Sequence, residues 1–133
     1  MDLSPEQVER YARQIILPEI GSRGQEKLLR SRVLVIGAGG LGSPGCIYLA
    51  AAGVGVVGIV DSDLVEVSNL HRQIAHGTAD VGRPKTASAA DRLRAINPDV
   101  TVWTYAERFT AASAPDLLAN YDFVIECTDN LPS

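Results

Sequence analysis

The stretch VLVIGAGGLGSPG, residues 33–45, runs an apolar strand straight into a glycine-rich turn. Few folds use that junction. Gly37, Gly39 and Gly42 follow the spacing G-x-G-x-x-G. Between a strand and a helix, the first glycine makes the tight turn, the second lets backbone approach a phosphate, and the third permits close helix packing. The helix that follows offers unpaired N–H groups and a partial positive charge at its N-terminus. Gly40 leaves the loop GAGGLG almost without side chains, which permits close contact but does not identify a ligand. On its own the pattern also fits glycines that merely shape a strand-to-helix corner.

The rest of the chain follows from this unit. Strands RVLVIG, VGVVGIVD, VTVWTY and DFVIEC alternate with helices from about Leu41 to Ala52, over KTASAADRLRAI and over SAPDLLAN. Strands separated by helices imply crossover connections and a parallel sheet. The expected fold class is α/β, a Rossmann-like doubly wound sheet of four mainly parallel strands in order 3-2-1-4. VLVI and FVIE are almost continuously apolar, as strands covered on both faces should be. Residues 1–31 read as a helical arm ahead of the nucleotide-binding half at 32–133. In the arm, Ser4, Pro5 and Gln7 form a capping-box signature for a helix reaching about Gln14, and QEKLLRS reads as a second helix after Pro18, Gly21 and Gly24. Such a sheet usually has about six strands, so ending just past the fourth reads as an incomplete domain. No repeat, low-complexity tract or linker interrupts the pattern.

Composition narrows the partners. A net charge of -4 disfavours a nucleic-acid partner, whose phosphates call for excess Lys and Arg. MDLSPEQVER lacks the basic and apolar regions of a secretory signal, and no apolar run reaches the ~18 residues of a membrane span. A cytoplasmic location without a membrane partner is expected. Cys46 and Cys127 each lie in an apolar stretch, suit inert core positions and form no C-x-x-C pair. His71 and His76 read as non-catalytic loop residues, while Trp103 and Tyr105 alternate along a strand and are expected to pack against helices.

Asp61 lies roughly 20 residues beyond the loop at a strand end, where a carboxylate can accept ribose hydroxyls. That much fits an NAD-binding oxidoreductase equally well. The continuation DSDLVEVSNLHRQ adds Asp63, Glu66, Asn69 and Arg72, VGRPK adds Lys85, and ECTDN adds Asp129 and Asn130. Hydride transfer is carried by the nicotinamide and has no need of this second polar cluster. Phosphoryl chemistry needs cations for developing charge and a carboxylate for a metal ion. In the order 3-2-1-4, the switch point places Asp129 across the crevice from the glycine loop. Each residue also has a plainer reading: Arg72 as a surface charge, Lys85 as a helix-start lysine, and Asp129 with Asn130 as a turn.

The ordered set RYARQIILPEIG, GAGGLGSP, DSDLVEVSNLHRQ, VGRPK, INPDV and ECTDN resembles the ThiF/MoeB/HesA family, adenylyltransferases of the ubiquitin-activating type. The resemblance covers nearly the whole chain. It implies an enzyme that uses ATP and Mg2+ to adenylate the C-terminal glycine carboxylate of a small ubiquitin-fold carrier protein in molybdopterin, thiamine or tRNA-thiolation sulfur transfer. It implies phosphate contact around Gly40, ribose contact at Asp61 with Asp63 nearby, and triphosphate contact at Asn69, Arg72 and Lys85. Ser68, Leu70 and Asn130 complete the nucleotide-binding set, and Asp129 would hold the metal. Arg13 resembles an arginine inserted into the neighbouring subunit's site, which implies a homodimer and gives the apolar arm residues Tyr11, Ile15, Ile16 and Leu17 a surface to cover. The family's zinc-binding Cys pairs and reactive cysteine are missing here, so this stretch is not expected to catalyse alone. The alternatives are an NAD(P)-dependent oxidoreductase fragment and a non-catalytic dimerising module.

Overall fold

The computed structural model describes residues 3–39 and 42–127. Helix α1 spans Pro5–Arg10, with the Ser4 hydroxyl accepting from the Gln7 N–H at 3.1 Å and the Gln7 side chain accepting from the Ser4 N–H at 2.9 Å. The expected single helix to Gln14 is instead two. The backbone leaves helical geometry at Tyr11 and resumes as α2, Ala12–Ile15. The cause is tertiary: the Tyr11 side chain drops into the body, where its hydroxyl donates to Asp99 at 2.9 Å and accepts from Asn97 at 2.8 Å. Helix α3, Gly21–Arg30, starts four residues before the expected QEKLLRS. Glycine costs a helix interior about 1 kcal/mol, and here anchoring outweighs it. Gln25 is fully buried, and its amide, together with that of Gln14, donates to the Ala52 carbonyl at 3.0 Å.

Strands β1 (Arg32–Ile36), β2 (Val56–Val60), β3 (Thr101–Tyr105) and β4 (Phe123–Glu126) form one parallel sheet in the order β3-β2-β1-β4. Helices α4 (Gly42–Ala52), α5 (Lys85–Ile96) and α6 (Ala114–Leu118) fill the three crossovers. Alternation along the strands divides the core. Val33, Val35, Val57, Ile59 and Val102 pack with Cys46 and Ala50 of α4 and Ala89, Ala90 and Leu93 of α5. Leu34, Ile36 and Val60 face the other way, toward Leu117, Phe109 and Tyr121.

Two expectations fail on that second face. Trp103 packs on Tyr121, which follows α6, rather than on a helix, while Tyr105 joins the cluster that contains Leu117 of α6. The Trp103 and Tyr121 rings meet edge-on at 6.0 Å, the two tyrosine hydroxyls lie 2.7 Å apart, and the Arg32 guanidinium sits 5.4 Å over Trp103. Gly58 makes room, because a Cβ there would collide with the Tyr121 ring. Strand β4 is not covered on both faces: all four of its residues are exposed, Phe123 by 65%. Its outer edge pairs with no strand among the described residues. No helix among the described residues is long and apolar enough to cross a membrane.

Candidate functional site

The site gathers at the carboxyl ends of β1 and β2. Gly37 adopts φ 97°, a conformation that side-chain-bearing residues rarely reach, and its N–H donates to the Val60 carbonyl at 2.8 Å. Ala38 then donates to one Asp61 oxygen at 2.8 Å, while the other accepts from the Asp63 N–H at 2.8 Å. Gly42, at the start of α4, packs directly on the Gly37 carbonyl and leaves no space for a Cβ. Gly39 lies above the Gln73 side chain, whose amide nitrogen would be 3.4 Å from a Cβ at that glycine. Gln73 is buried and its Oε1 has no hydrogen-bond partner among the described residues. Gly40, Asp129 and Asn130 lie outside the described residues. The Cys127 N–H donates to the Ile36 carbonyl at 2.8 Å, so β4 ends beside the start of the glycine loop.

Lys85 reaches the same edge by backbone bonding. Leu64 and Pro84 form an antiparallel bridge, Val65 donates to Arg83 at 2.9 Å, and Lys85 donates to the Asp63 carbonyl at 2.9 Å. An unbroken chain of contacts therefore joins Lys85, Asp63, Asp61 and Ala38. The Lys85 side chain is almost buried, with the residue only 6% exposed, and its ammonium is 3.8 Å from the Asp63 carboxylate. That separation exceeds a hydrogen bond. Buried cations are normally closely paired, and among the described residues Asp63 is the carboxylate within 4 Å of this one.

Ser68 and Asn69 belong to a short 3-10 turn, Val67–Asn69. The Asn69 side chain accepts from the Glu66 N–H at 3.1 Å and its carbonyl accepts from Gln73 at 2.9 Å, which holds the segment in place. Ser68, His71 and Arg72 are exposed and Leu70 is half-buried. The Arg72 guanidinium has no hydrogen-bond or ion-pair partner among the described residues.

Arg13 is not brought to this site. It is exposed on α2, and the arm docks where α4 and α5 end, through Gln14 on Ala52, Arg10 on the Ile96 carbonyl at 3.1 Å, and Tyr11 on Asn97. The loop and Lys85 lie where those helices begin. At 1.5 Å per residue, about 15 Å of helix separates the two ends.

Sequence reasoning missed two buried polar residues here, Gln73 and His76. His76 contacts Ser88 of α5 at 2.7 Å and the Ala38 carbonyl at 3.0 Å. Burial, with Lys85 nearby, holds its pKa below the ordinary histidine value. Irregular segments lack the periodicity that would have marked these positions as interior. Cys46 and Cys127 are buried free thiols as expected, and burial pushes Cys46 up to about 12.

A profile of the ThiF family matches residues 11–133. The sulfur carrier protein adenylyltransferase of Thermus thermophilus is 52% identical over 133 residues, covering 100% of this chain and 49% of that protein. The adenylyltransferase and sulfurtransferase MOCS3 of Arabidopsis thaliana is 52% identical over 131 residues, covering 98% of this chain and 28% of that protein. Among solved structures, the E. coli tRNA N6-threonylcarbamoyladenosine dehydratase TcdA in complex with ATP matches with a TM-score of 0.91 and 28% identity, over 98% of this chain and 54% of that one. The chain thus spans about half, or less, of the two relatives.

Proposed function

Because the chain belongs to the ThiF family, we propose that it forms the nucleotide-binding part of an enzyme that uses ATP to adenylate the C-terminal glycine carboxylate of a small ubiquitin-fold sulfur-carrier protein. The observation that carries this reading is Lys85, a buried ammonium 3.8 Å from its nearest described carboxylate and linked through Asp63 and Asp61 to a loop of glycines. A triphosphate is complementary in charge to that ammonium. The Thermus relative is named for action on a sulfur carrier protein, and TcdA is a structural relative that binds ATP. The carrier would serve molybdopterin, thiamine or tRNA-thiolation sulfur transfer.

In this reading the glycine loop and the start of α4 bind phosphate, with Gly37, Gly39, Gly40 and Gly42 allowing the close approach. Asp61 retains lone pairs for ribose hydroxyls, with Asp63 beside it. A carrier carboxylate oxygen attacks the α-phosphorus; an O–P bond forms there as the bond to the bridging oxygen breaks, and pyrophosphate departs with that electron pair. Asn69, Arg72 and Lys85 stabilise the charge that develops on the phosphates. Ser68, Leu70 and Asn130 complete the nucleotide contacts. Asp129, which lies outside the described residues, would hold an Mg2+ ion. That ion would supply further neutralisation of phosphate charge.

Arg13 acts across a homodimer in this proposal. It sits at the far end of its own subunit, and the arm carries Ile16, 72% exposed, and half-exposed Leu17, apolar surface that a second copy would cover. A guanidinium is always charged and suits phosphate oxygens. The test is ATP–pyrophosphate exchange by the full-length protein with candidate carriers. Lys85→Ala and Asp129→Ala are each expected to lower exchange by about 100-fold or more, and near-wild-type exchange in either refutes the assignment. When Arg13→Ala and Lys85→Ala subunits are co-assembled, one site per mixed dimer regains both residues, so roughly a quarter of wild-type activity returns on random pairing. A mixture that stays inactive refutes action across subunits. An oxidoreductase fragment would instead prefer NAD(P) to ATP in a binding titration, and a non-catalytic module would show no exchange with any carrier.

A further inference from the structure

The nucleotide reading leaves the buried imidazole of His76 unused. His76 lies between the glycine loop and the lysine-bearing helix, with Nε2 3.0 Å from the Ala38 carbonyl oxygen and Nδ1 2.7 Å from the Ser88 hydroxyl. Ser88 is itself buried on α5, three residues after Lys85. A carbonyl only accepts, so Nε2 carries the proton, and the neutral ring then accepts from Ser88 through Nδ1. Burial favours that neutral form.

We propose that His76 is a positioning residue that locks the peptide between Ala38 and Gly39, and thereby aims the glycine loop at phosphate. The argument rests on peptide geometry. In a trans peptide the carbonyl and the following N–H point in opposite directions. Asp61 holds the Ala38 N–H at 2.8 Å on one side of the residue, and His76 holds the Ala38 carbonyl on the other. With that carbonyl drawn toward the buried imidazole, the Gly39 N–H is turned away from it, toward the mouth of the loop. Among the described residues this N–H has no partner. A flip of this peptide turns only the Ala38 ψ and the Gly39 φ, and Gly39 has no Cβ to oppose it. A flipped peptide would present an oxygen to an anion. His76 makes that state costly and ties the loop to the helix that carries Lys85.

This inference rests on ATP as the ligand of the loop, and its test separates the two claims. Binding of ATP and of adenosine to the full-length protein is measured by isothermal titration calorimetry. In His76→Ala, ATP affinity is expected to fall about tenfold, the scale of one lost buried hydrogen bond, while adenosine affinity is unchanged. His76→Gln places an amide N–H near the Nε2 position and is expected to restore most of the loss. Should His76→Ala fail to fold, Ser88→Ala removes only the anchor of the ring and is expected to lower ATP affinity about threefold, again sparing adenosine. Equal losses for both ligands, or ATP affinity at the wild-type level, would overturn the positioning role. Failure of the wild-type protein to bind ATP would overturn the nucleotide reading and this proposal with it.

Discussion

Replacing Tyr11 by Phe removes one oxygen atom and leaves the buried ring in place. The hydroxyl accepts from Asn97 Nδ2 at 2.8 Å and donates to Asp99 at 2.9 Å. Asp99 is exposed, so water replaces its lost partner. Asn97 is 0% exposed, and among the described residues its Nδ2 then donates only to the Ala50 carbonyl at 2.8 Å. The second amide hydrogen is left buried and unpaired, which costs about 1–3 kcal/mol. Tyr11→Phe is therefore expected to destabilise the chain by about 2 kcal/mol, a shift of roughly 30-fold in the folding equilibrium. A pH signature separates this from a packing defect. Burial raises the Tyr11 pKa above its ordinary value of 10.0, so the folded state favours the protonated phenol. The resulting stability is complete below the unfolded pKa and is lost as pH climbs through 10 toward the folded value. The assay is urea unfolding followed by circular dichroism, from neutral pH to pH 11. The variant should start less stable and lose less stability in the alkaline range. A neutral-pH difference below about 0.5 kcal/mol, or an unchanged alkaline decline, would refute the account of how the arm is anchored.

Gly42→Ala places a Cβ against the Gly37 carbonyl, and Gly37 at φ 97° cannot easily move aside; a loss of about 1–3 kcal/mol is expected from urea midpoints, together with weaker ATP binding. Gly45→Ala, three residues along the same helix, meets nothing within 4 Å and should stabilise by up to about 1 kcal/mol through helix propensity. Thiol labelling at pH 8 should modify neither cysteine in the folded chain, because both are buried and Cys46 is pushed up to about 12, and urea should expose both; fast labelling of Cys46 in the folded state would contradict the packing of α4.

Local rules carried the sequence reading furthest where the chain obeys them without help. The capping box at Ser4 and Gln7 formed as read, and α5 spans the anticipated KTASAADRLRAI. The sheet order followed from alternation and a glycine-rich first turn. Departures occur where distant groups decide. Tyr11 breaks a helix because Asn97 and Asp99, more than eighty residues away, bind its hydroxyl. α3 runs through two glycines because Gln25 is anchored on Ala52. β4 has the composition of an interior strand yet lies exposed at the sheet edge, since apolar content records what a strand can bury rather than what lies over it. In the site, the glycines and Lys85 were legible as residue types suited to phosphate, and Asp61, with Asp63 nearby, as a carboxylate suited to ribose hydroxyls. The contacts of Gln73 and His76 were not, because a buried irregular loop leaves no periodic trace.

Asp61 bears on how variants of this site must be interpreted. Its two oxygens hold the N–H groups of Ala38 and Asp63. Asparagine has the same shape but one acceptor and one donor end, so it can serve only one of those groups and would turn an amide hydrogen toward the other. The carboxylate is thus demanded by the backbone around it before any nucleotide arrives. A dead Asp61 variant is ambiguous evidence, since a collapsed loop and a lost ribose contact give the same silence. Arg72 is exposed and has no hydrogen-bond or ion-pair partner among the described residues, so under the nucleotide reading proposed above its substitution would test a phosphate contact without disturbing the loop.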